Sequence, residues 1–213
     1  MSFDFMQAFT QALYMLPGIL IGFAFHEFAH AQTAIWLGDD TPMLQQRNSL
    51  NPIVHIEPIG FLMILLAGFG WAKPVQINPD NFKKPRRDDI LVALAGPAMN
   101  ILVAISLLIL TKILVTIPVK FLADNTYSIL LAILDYAVWI NIVLCVFNLL
   151  PIPPLDGSHI FFGLTGLKSS EAYSKLYRWS TLILLVLIIT NLLGRIIIPP
   201  VNFIYGTLIN LFF

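Results

Sequence analysis

Long apolar stretches limit what this chain can fold into more than any other feature. A helix needs about 20 apolar residues to cross the hydrocarbon core of a bilayer. Residues 9–37, 90–117 and 127–150 each supply such a stretch, and residues 179–213 are apolar again. A glycine, an arginine and two prolines interrupt the last stretch, which predicts either one kinked span or two short ones. With 58% hydrophobic residues, 11% charged residues and a mean hydropathy of +0.83, the composition indicates a polytopic membrane protein.

The region between the first two spans does not have the pattern of a simple span. Residues 51–78 open with two prolines, a histidine and a glutamate, and the alternation around Val75 predicts a loop with an extended segment. From the distribution of lysine and arginine, the positive-inside rule places residues 38–49, 79–89 and 156–178 in the cytoplasm and the N-terminus outside. Both ends of the 51–78 region then lie on one side, so we expect it to enter the membrane and return.

These patterns predict an all-α polytopic membrane protein with about 4–6 transmembrane helices and a re-entrant or extended segment between the first spans. We interpret residues 1–213 as a single membrane-embedded domain with its core at 9–160 and C-terminal spans in 179–213. The net charge is zero and the chain has no basic block, so we expect the lipid bilayer and no nucleic acid as a partner. Cys145 is the single cysteine, which excludes an internal disulfide. The N-terminus lacks the pattern of a cleaved signal peptide, and the oligomeric state remains undetermined.

Two histidines and a glutamate interrupt the first apolar stretch in the motif HEFAH. His26 and His30 are four residues apart, so on a helix their side chains share one face, with Cβ atoms about 5–6 Å apart. Two imidazoles need this spacing to bind one zinc ion, and Glu27 lies beside them as a candidate general base. Ionisable residues inside a membrane span are costly and by default functional. The motif therefore predicts a zinc site.

A catalytic zinc site usually has three protein ligands and an open fourth position. The candidates for the third ligand are His55, Glu57, Asp135, Asp156, His159 and Glu171. Asp156 is favoured because three prolines keep the backbone before it out of a helix and Gly157 allows a tight turn after it. The first span and the 127–150 span also run in the same direction, which brings Asp156 to the depth of HEFAH. An ordinary turn at the end of a span is the alternative interpretation.

Four motifs occur along the chain in the order HEFAH, GWAKPVQIN, LAGPAMN and FNLLPIPPLDG. Together they resemble the site-2 protease family of intramembrane zinc metalloproteases, in its compact branch without PDZ or CBS domains. The resemblance covers residues from about 20 to 160. It implies a Zn²⁺ cofactor, single-span membrane proteins as substrates, and a motif around Asn100 that packs a span beside the site. The residues that it implies are His26, His30 and Asp156 as zinc ligands, Glu27 as catalytic base and Asn148 in substrate binding.

Two further histidines, His55 and His159, are not among the favoured zinc ligands. His55 lies in LNPIVHIEP, which also resembles a motif of the compact members, although Glu57 stands where Asp is usual. It is a candidate auxiliary ligand, a gate residue or a structural polar group. His159 is interpreted as cytoplasmic and non-ligating, because the backbone after Asp156 leads away from the site.

The sequence thus predicts a zinc metalloendopeptidase of the cell membrane, with its active site towards the cytoplasm. Its predicted reaction is hydrolysis of peptide bonds within or near the transmembrane segments of membrane proteins, as in regulated intramembrane proteolysis. The alternative is a membrane metal-ion transporter that uses the same His/Asp cluster, which would require polar residues along a path. A membrane protease of the prenyl-protein type would need a glutamate on a later span, where Asp135 is the acidic residue present.

Overall fold

The computed structural model describes residues 5–67, 70–117 and 124–213 of the chain. Within these ranges it contains eight α-helices, three short 3₁₀ helices and no β-strand beyond one isolated bridge. The α-helices are α1 (Phe5–Trp36), α2 (Thr41–Leu44), α3 (Pro58–Ala67), α4 (Pro85–Thr116), α5 (Asp124–Asn148), α6 (Asp156–Thr165), α7 (Glu171–Ile189) and α8 (Leu192–Phe212). Five of them, α1, α4, α5, α7 and α8, are long and apolar enough to cross a membrane. The predicted all-α membrane fold is confirmed.

Helices α1, α4 and α5 pack closely against one another and form the centre of the molecule. Gly18 and Gly22 of α1 face α5, and a Cβ atom at Gly18 would lie only 2.5 Å from the Cα atom of Ala137. Lipid tails are as apolar as leucine, so helices in a bilayer associate through close packing that small residues permit. The two glycines bring α1 and α5 side by side and parallel. We call the end at which both helices finish, at Trp36 and Asn148, the proximal end of the bundle.

The segment between α1 and α4 returns to its starting point, as predicted. Helix α3 has 10 residues and is about 15 Å long, half of what a bilayer crossing requires. The chain before and after it is joined by an antiparallel bridge between Ile56 and Ala72 and by a 2.8 Å hydrogen bond from the Lys73 N–H to the His55 carbonyl. Since the two ends meet, α3 is a re-entrant helix. Residues 68–69, at its return, lie outside the described residues.

The C-terminal region forms two separate helices, which decides between the two interpretations of residues 179–213. Helix α7 begins at Glu171, earlier than that boundary, and the Ser170 side chain caps it by accepting a 3.1 Å hydrogen bond from the Tyr173 N–H. The break between α7 and α8 falls at Thr190 and Asn191, where Asn191 has a φ of +55°. Pro199 and Pro200 do not break the chain and lie inside α8.

Helix α8 runs antiparallel to α5. Its first turns lie near the proximal end, where Leu193 and Ile197 line a cavity of about 700 Å³. Its last turns lie at the opposite end, where the Tyr205 hydroxyl donates to Asp135 and the Lys112 Nζ lies 5.0 Å from the centre of the Phe213 ring. Helix α7 starts beside α6, with Tyr173 against Phe162, and ends where α8 begins. Both ends of α7 are therefore in the proximal half of the bundle.

Candidate metal centre and active site

His26 and His30 project from one face of α1 towards α4, and each ring is fixed by a hydrogen bond through its Nδ1 atom. The His26 Nδ1 lies 2.7 Å from the side-chain Oδ1 of Asn100, and the His30 Nδ1 lies 2.8 Å from the backbone carbonyl of Val92. Both partners are acceptors, so each histidine carries its proton on Nδ1. When the imidazoles are neutral, the two Nε2 atoms are unprotonated and able to bind a metal, the arrangement usual for metal-binding histidines.

Asp156 completes a cluster of three ligand atoms. It is the first residue of α6, and its Oδ2 lies 3.2 Å from the His26 Nε2 and 3.3 Å from the His30 Nε2. The two Nε2 atoms are 2.9 Å apart. The Oδ2 atom is buried and has no hydrogen-bond donor within the described part of the chain.

The cluster fits a catalytic zinc ion. Two imidazole nitrogens and an orphaned carboxylate oxygen converge on one point, and with neutral imidazoles their lone pairs would repel one another without a cation between them. Zinc sites in enzymes use this kind of donor set, with three protein ligands and a fourth position for water. We find no other group of three such side chains close enough to share a metal ion among the described residues.

A glycine on α4 leaves room for the two imidazoles. A Cβ atom added at Gly96 would lie 2.5 Å from the His26 Cε1 and 2.6 Å from the His26 Nε2, and it would also collide with His30. Because only hydrogen projects there, the two rings can approach the backbone of α4 closely enough to contact Val92 and Asn100.

Glu27 lies next to the cluster and is not part of it. Its side chain lines the same cavity of about 700 Å³ as His26, His30 and Asp156. One carboxylate oxygen accepts a 2.8 Å hydrogen bond from the Val75 N–H, in the segment between α3 and α4. Apart from Asp89, Asn148 and His159, the other cavity-lining residues are apolar or glycine, and they come from α1, α3, α4, α5, α8 and the segments 70–79 and 154–155. A carboxylate beside a metal site in such a cavity can act as a general base.

The segment that contacts Glu27 is anchored on both sides. Before Val75, the Lys73 N–H is bound to His55, and after it the Asn78 N–H donates a 2.8 Å hydrogen bond to Asp39. Asp39 also accepts hydrogen bonds from Thr41 and from Asn81, at 2.7 Å for the latter. Burial would raise the pKa of Asp39, but these hydrogen bonds lower it below its ordinary value. Residues 73–78 are thereby fixed at the wall of the cavity.

Asn148 lines the cavity, whereas His55 lies outside the metal cluster. Asn148, the last residue of α5, lines the cavity, and its amide nitrogen donates a 3.0 Å hydrogen bond to the Leu144 carbonyl. His55 is buried in the 3₁₀ helix Pro52–His55 and does not belong to the metal cluster. Its Nε2 donates to the Ser49 carbonyl at 2.8 Å. Its Nδ1 is buried and has no hydrogen-bond partner among the described residues.

Comparison with known proteins identifies the family. The model of peptidase family M50 matches residues 113–190, which include Asp156. "Putative zinc metalloprotease YwhC" of Bacillus subtilis is 37% identical over 205 residues, covering 93% of this chain and 90% of the relative. The chain belongs to peptidase family M50, the site-2 protease family. "Putative zinc metalloprotease Rip2" of Mycolicibacterium smegmatis is 30% identical over 186 residues, covering 85% of this chain and 68% of the relative. No solved structure matches the chain significantly.

Membership of family M50 confirms the predicted class of enzyme and cofactor. This M50 protein is a membrane zinc metallopeptidase. Its described helices include the His26, His30 and Asp156 cluster that such an enzyme needs. The predicted multi-pass membrane location is confirmed by the helices long enough to span.

Several contacts of this M50 site were not predicted from the sequence. Asn100 was assigned to a packing motif, but its side chain orients His26 and also donates to the Gly22 carbonyl and to Asn141. The Val75 N–H and the space at Gly96 were not anticipated either. A fully buried asparagine inside an apolar span was a usable signal for Asn100 and Asn141, because a buried amide requires partners. The Val75 contact had no sequence signal, since every residue except proline has a backbone N–H.

Proposed function

We propose that this protein hydrolyses peptide bonds within or beside the transmembrane segment of single-span membrane proteins. The observation that carries the proposal is the position of Glu27 and the metal cluster together in one cavity among membrane helices. Apolar side chains of Ile19, Phe23 and Ile140 line the cavity on the side away from the proximal end. A cavity of this kind suits an apolar peptide better than a soluble one.

The roles of the residues follow from their geometry. His26, His30 and Asp156 would hold a zinc ion, which would lower the pKa of a bound water and polarise a carbonyl. Glu27 accepts the proton of the attacking water and returns it to the leaving amine. The Val75 N–H holds one oxygen of the Glu27 carboxylate, which fixes the direction of the carboxylate. Asn100 and the Val92 carbonyl fix the two imidazoles.

The substrate must present an extended peptide, since the carbonyls of a helix are already hydrogen-bonded within it. The segment 72–77 lines the cavity with several of its residues; it has one bridge residue, Ala72, and no other regular secondary structure. A peptide lying beside this segment would gain backbone hydrogen bonds with little selection of side chains. Asn148 lines the same cavity and is placed to hydrogen-bond the unwound backbone or the developing oxyanion.

The transporter alternative has less support. A metal path would need polar groups leading from the cluster across the bundle. The buried amides that lie beyond the cluster already bind helix backbone: Asn141 donates to the Gly18 and Ala137 carbonyls, and Asn100 donates to Gly22. Asp135 is paired with Tyr205 at the far end. These contacts hold helices together and form no continuous path.

The proposal is tested with purified protein and a single-span model substrate, both reconstituted in liposomes. We expect zinc-dependent cleavage at a bond that mass spectrometry maps within or beside the span. A zinc chelator should stop cleavage, and added zinc should restore it. A soluble peptide with the polar flanking sequence of the substrate serves as the control and should be cleaved poorly. Zinc flux across the liposome membrane without any cleavage would replace the proposal with the transporter function.

The cytoplasmic position of the active site is tested by cysteine labelling in a Cys145→Ser background. Cysteines in place of Asp40 and Lys83 should react only from the cytoplasmic side, because both lie at the proximal end of the bundle. Cysteines in place of Met6 and Phe213 should react only from outside, since α1 starts and α8 ends at the opposite end. Labelling of positions 40 and 83 from opposite sides would contradict the re-entrant topology and the common depth of the zinc ligands.

A further inference from the structure

The helix that carries Asp156 is tied to α4 by charged side chains. The Asp89 carboxylate, buried near the start of α4, accepts a 2.6 Å hydrogen bond from the Lys168 Nζ. The other carboxylate oxygen lies 3.1 Å from the Nδ1 of His159, which is one turn after Asp156 on α6. Asp89 thus contacts α6 and the residues that follow it at the same time.

A second set of hydrogen bonds joins the other end of α6 to α4. The Arg86 guanidinium, one turn before Asp89 on α4, donates to the carbonyls of Gly163 and Leu164 at 2.5 and 2.6 Å. These are among the last carbonyls of α6, which lack partners inside a helix. Gly163 also lets α6 approach Ile90 of α4 closely. Helix α6 is therefore held to α4 at both ends.

The position of α6 determines the position of the third ligand, Asp156. Asp156 is the first residue of α6, and the residue before it, Leu155, makes no side-chain cap. Any rotation or shift of α6 against α4 therefore moves the Asp156 carboxylate relative to the two imidazoles, which α4 itself fixes through Val92 and Asn100.

We propose that Asp89, through His159 and Lys168, is a positioning residue that aligns Asp156 with His26 and His30 for zinc binding. Asp89 and His159 line the same cavity as the three ligands, on its proximal side. A buried carboxylate between two basic side chains costs desolvation energy that a surface pair would not incur. The buried position of Asp89 allows α4 to orient all three ligands, because α4 then holds α6, which carries Asp156, as well as the two imidazoles. The proposal rests on the proposed zinc site and adds the residue that positions its third ligand, Asp156.

The test is the zinc affinity of the full-length protein in detergent, measured by competition with a chromogenic chelator. Replacing a group that orients a metal ligand typically lowers metal affinity about 10- to 100-fold. We expect a loss in this range for Asp89→Asn and a similar loss for Lys168→Met. The double variant should lose little more than either single variant, because the two residues act through one contact. The Co²⁺-substituted Asp89→Asn variant should show a changed ligand-field absorption.

Asp88 supplies a matched control. It is a buried aspartate next to Asp89 in the chain, but its carboxylate binds the Lys84 N–H and the Arg87 side chain and forms no hydrogen bond or ion pair with α6. Asp88→Asn should lower thermal stability while zinc affinity stays within about 3-fold of the wild type. Wild-type affinity in Asp89→Asn, or an equal loss in Asp88→Asn, would overturn the proposal.

One reference variant separates failure of this proposal from failure of the site. Asp156→Ala should lose zinc more severely than Asp89→Asn. If Asp156→Ala retains wild-type affinity, the zinc site itself is wrong. If Asp156→Ala loses zinc and Asp89→Asn does not, the site stands and the positioning role of Asp89 is wrong.

Discussion

Glu27→Gln should retain zinc and lose proteolysis. The ligand atoms belong to His26, His30 and Asp156, so the substitution removes none of them. Glutamine has the size of glutamate, and its side-chain oxygen can still accept the Val75 N–H. It cannot accept the proton of the attacking water. Loss of a general base commonly lowers the rate about 10²- to 10⁴-fold, and we expect at least that reduction in kcat for a single-span substrate.

Glu57→Gln is the matched control for this prediction. Glu57 accepts a 2.6 Å hydrogen bond from the Gly60 N–H at the start of α3, a contact that glutamine can keep. Its cleavage rate should remain close to that of the wild type. Zinc content is measured for both variants by elemental analysis. Cleavage by Glu27→Gln within about 3-fold of the wild-type rate would remove Glu27 from the mechanism.

Gly96→Ala should abolish zinc binding by adding a single methyl group. The new Cβ would occupy the space of the His26 ring and contact His30, so both rings or α4 must move. Movement of the rings breaks the hydrogen bonds to Asn100 and Val92, and movement of α4 carries both acceptors away. Wild-type protein should contain about one zinc per chain, and this variant close to none. Proteolysis should be lost with the metal.

Gly206→Ala tests whether adding a methyl group to a membrane helix has this effect by itself. Gly206 lies in α8, and a Cβ atom there meets no heavy atom within 4 Å among the described residues. We expect full zinc content and unchanged cleavage. Circular dichroism and gel filtration of both variants report whether the bundle is intact. A folded Gly96→Ala protein that contains one zinc per chain would contradict the close approach of the two rings to α4.

The C-terminal helices were predicted only incompletely from the sequence. The glycine, the arginine and the two prolines between 194 and 200 indicated the break, yet the chain turns at Thr190 and Asn191. Pro199 and Pro200 remain inside α8, because in a membrane bundle neighbouring groups can satisfy the backbone carbonyls that a proline leaves unpaired. The direction of α8 depends on its contacts with α5, and no local pattern records such contacts.

The sequence by itself determined the membrane class, the re-entrant segment and the pairing of His26 with His30. These features depend on short-range geometry: the length of an apolar stretch, the charges at its ends, and the four-residue repeat of a helix face. Asp156 was only the favoured member of six candidates, since its approach to the histidines depends on how α6 sits against α4. Only the tertiary structure decided how Val92 and Asn100 orient the two imidazoles and that Gly96 leaves room for them. It also decided the contact of Val75 with Glu27 and the hydrogen bonds of Asp89 and Arg86 with α6 and the residues after it. Each of these joins residues far apart in the chain, and the partner of a backbone carbonyl or of a buried carboxylate is fixed only when the helices have packed.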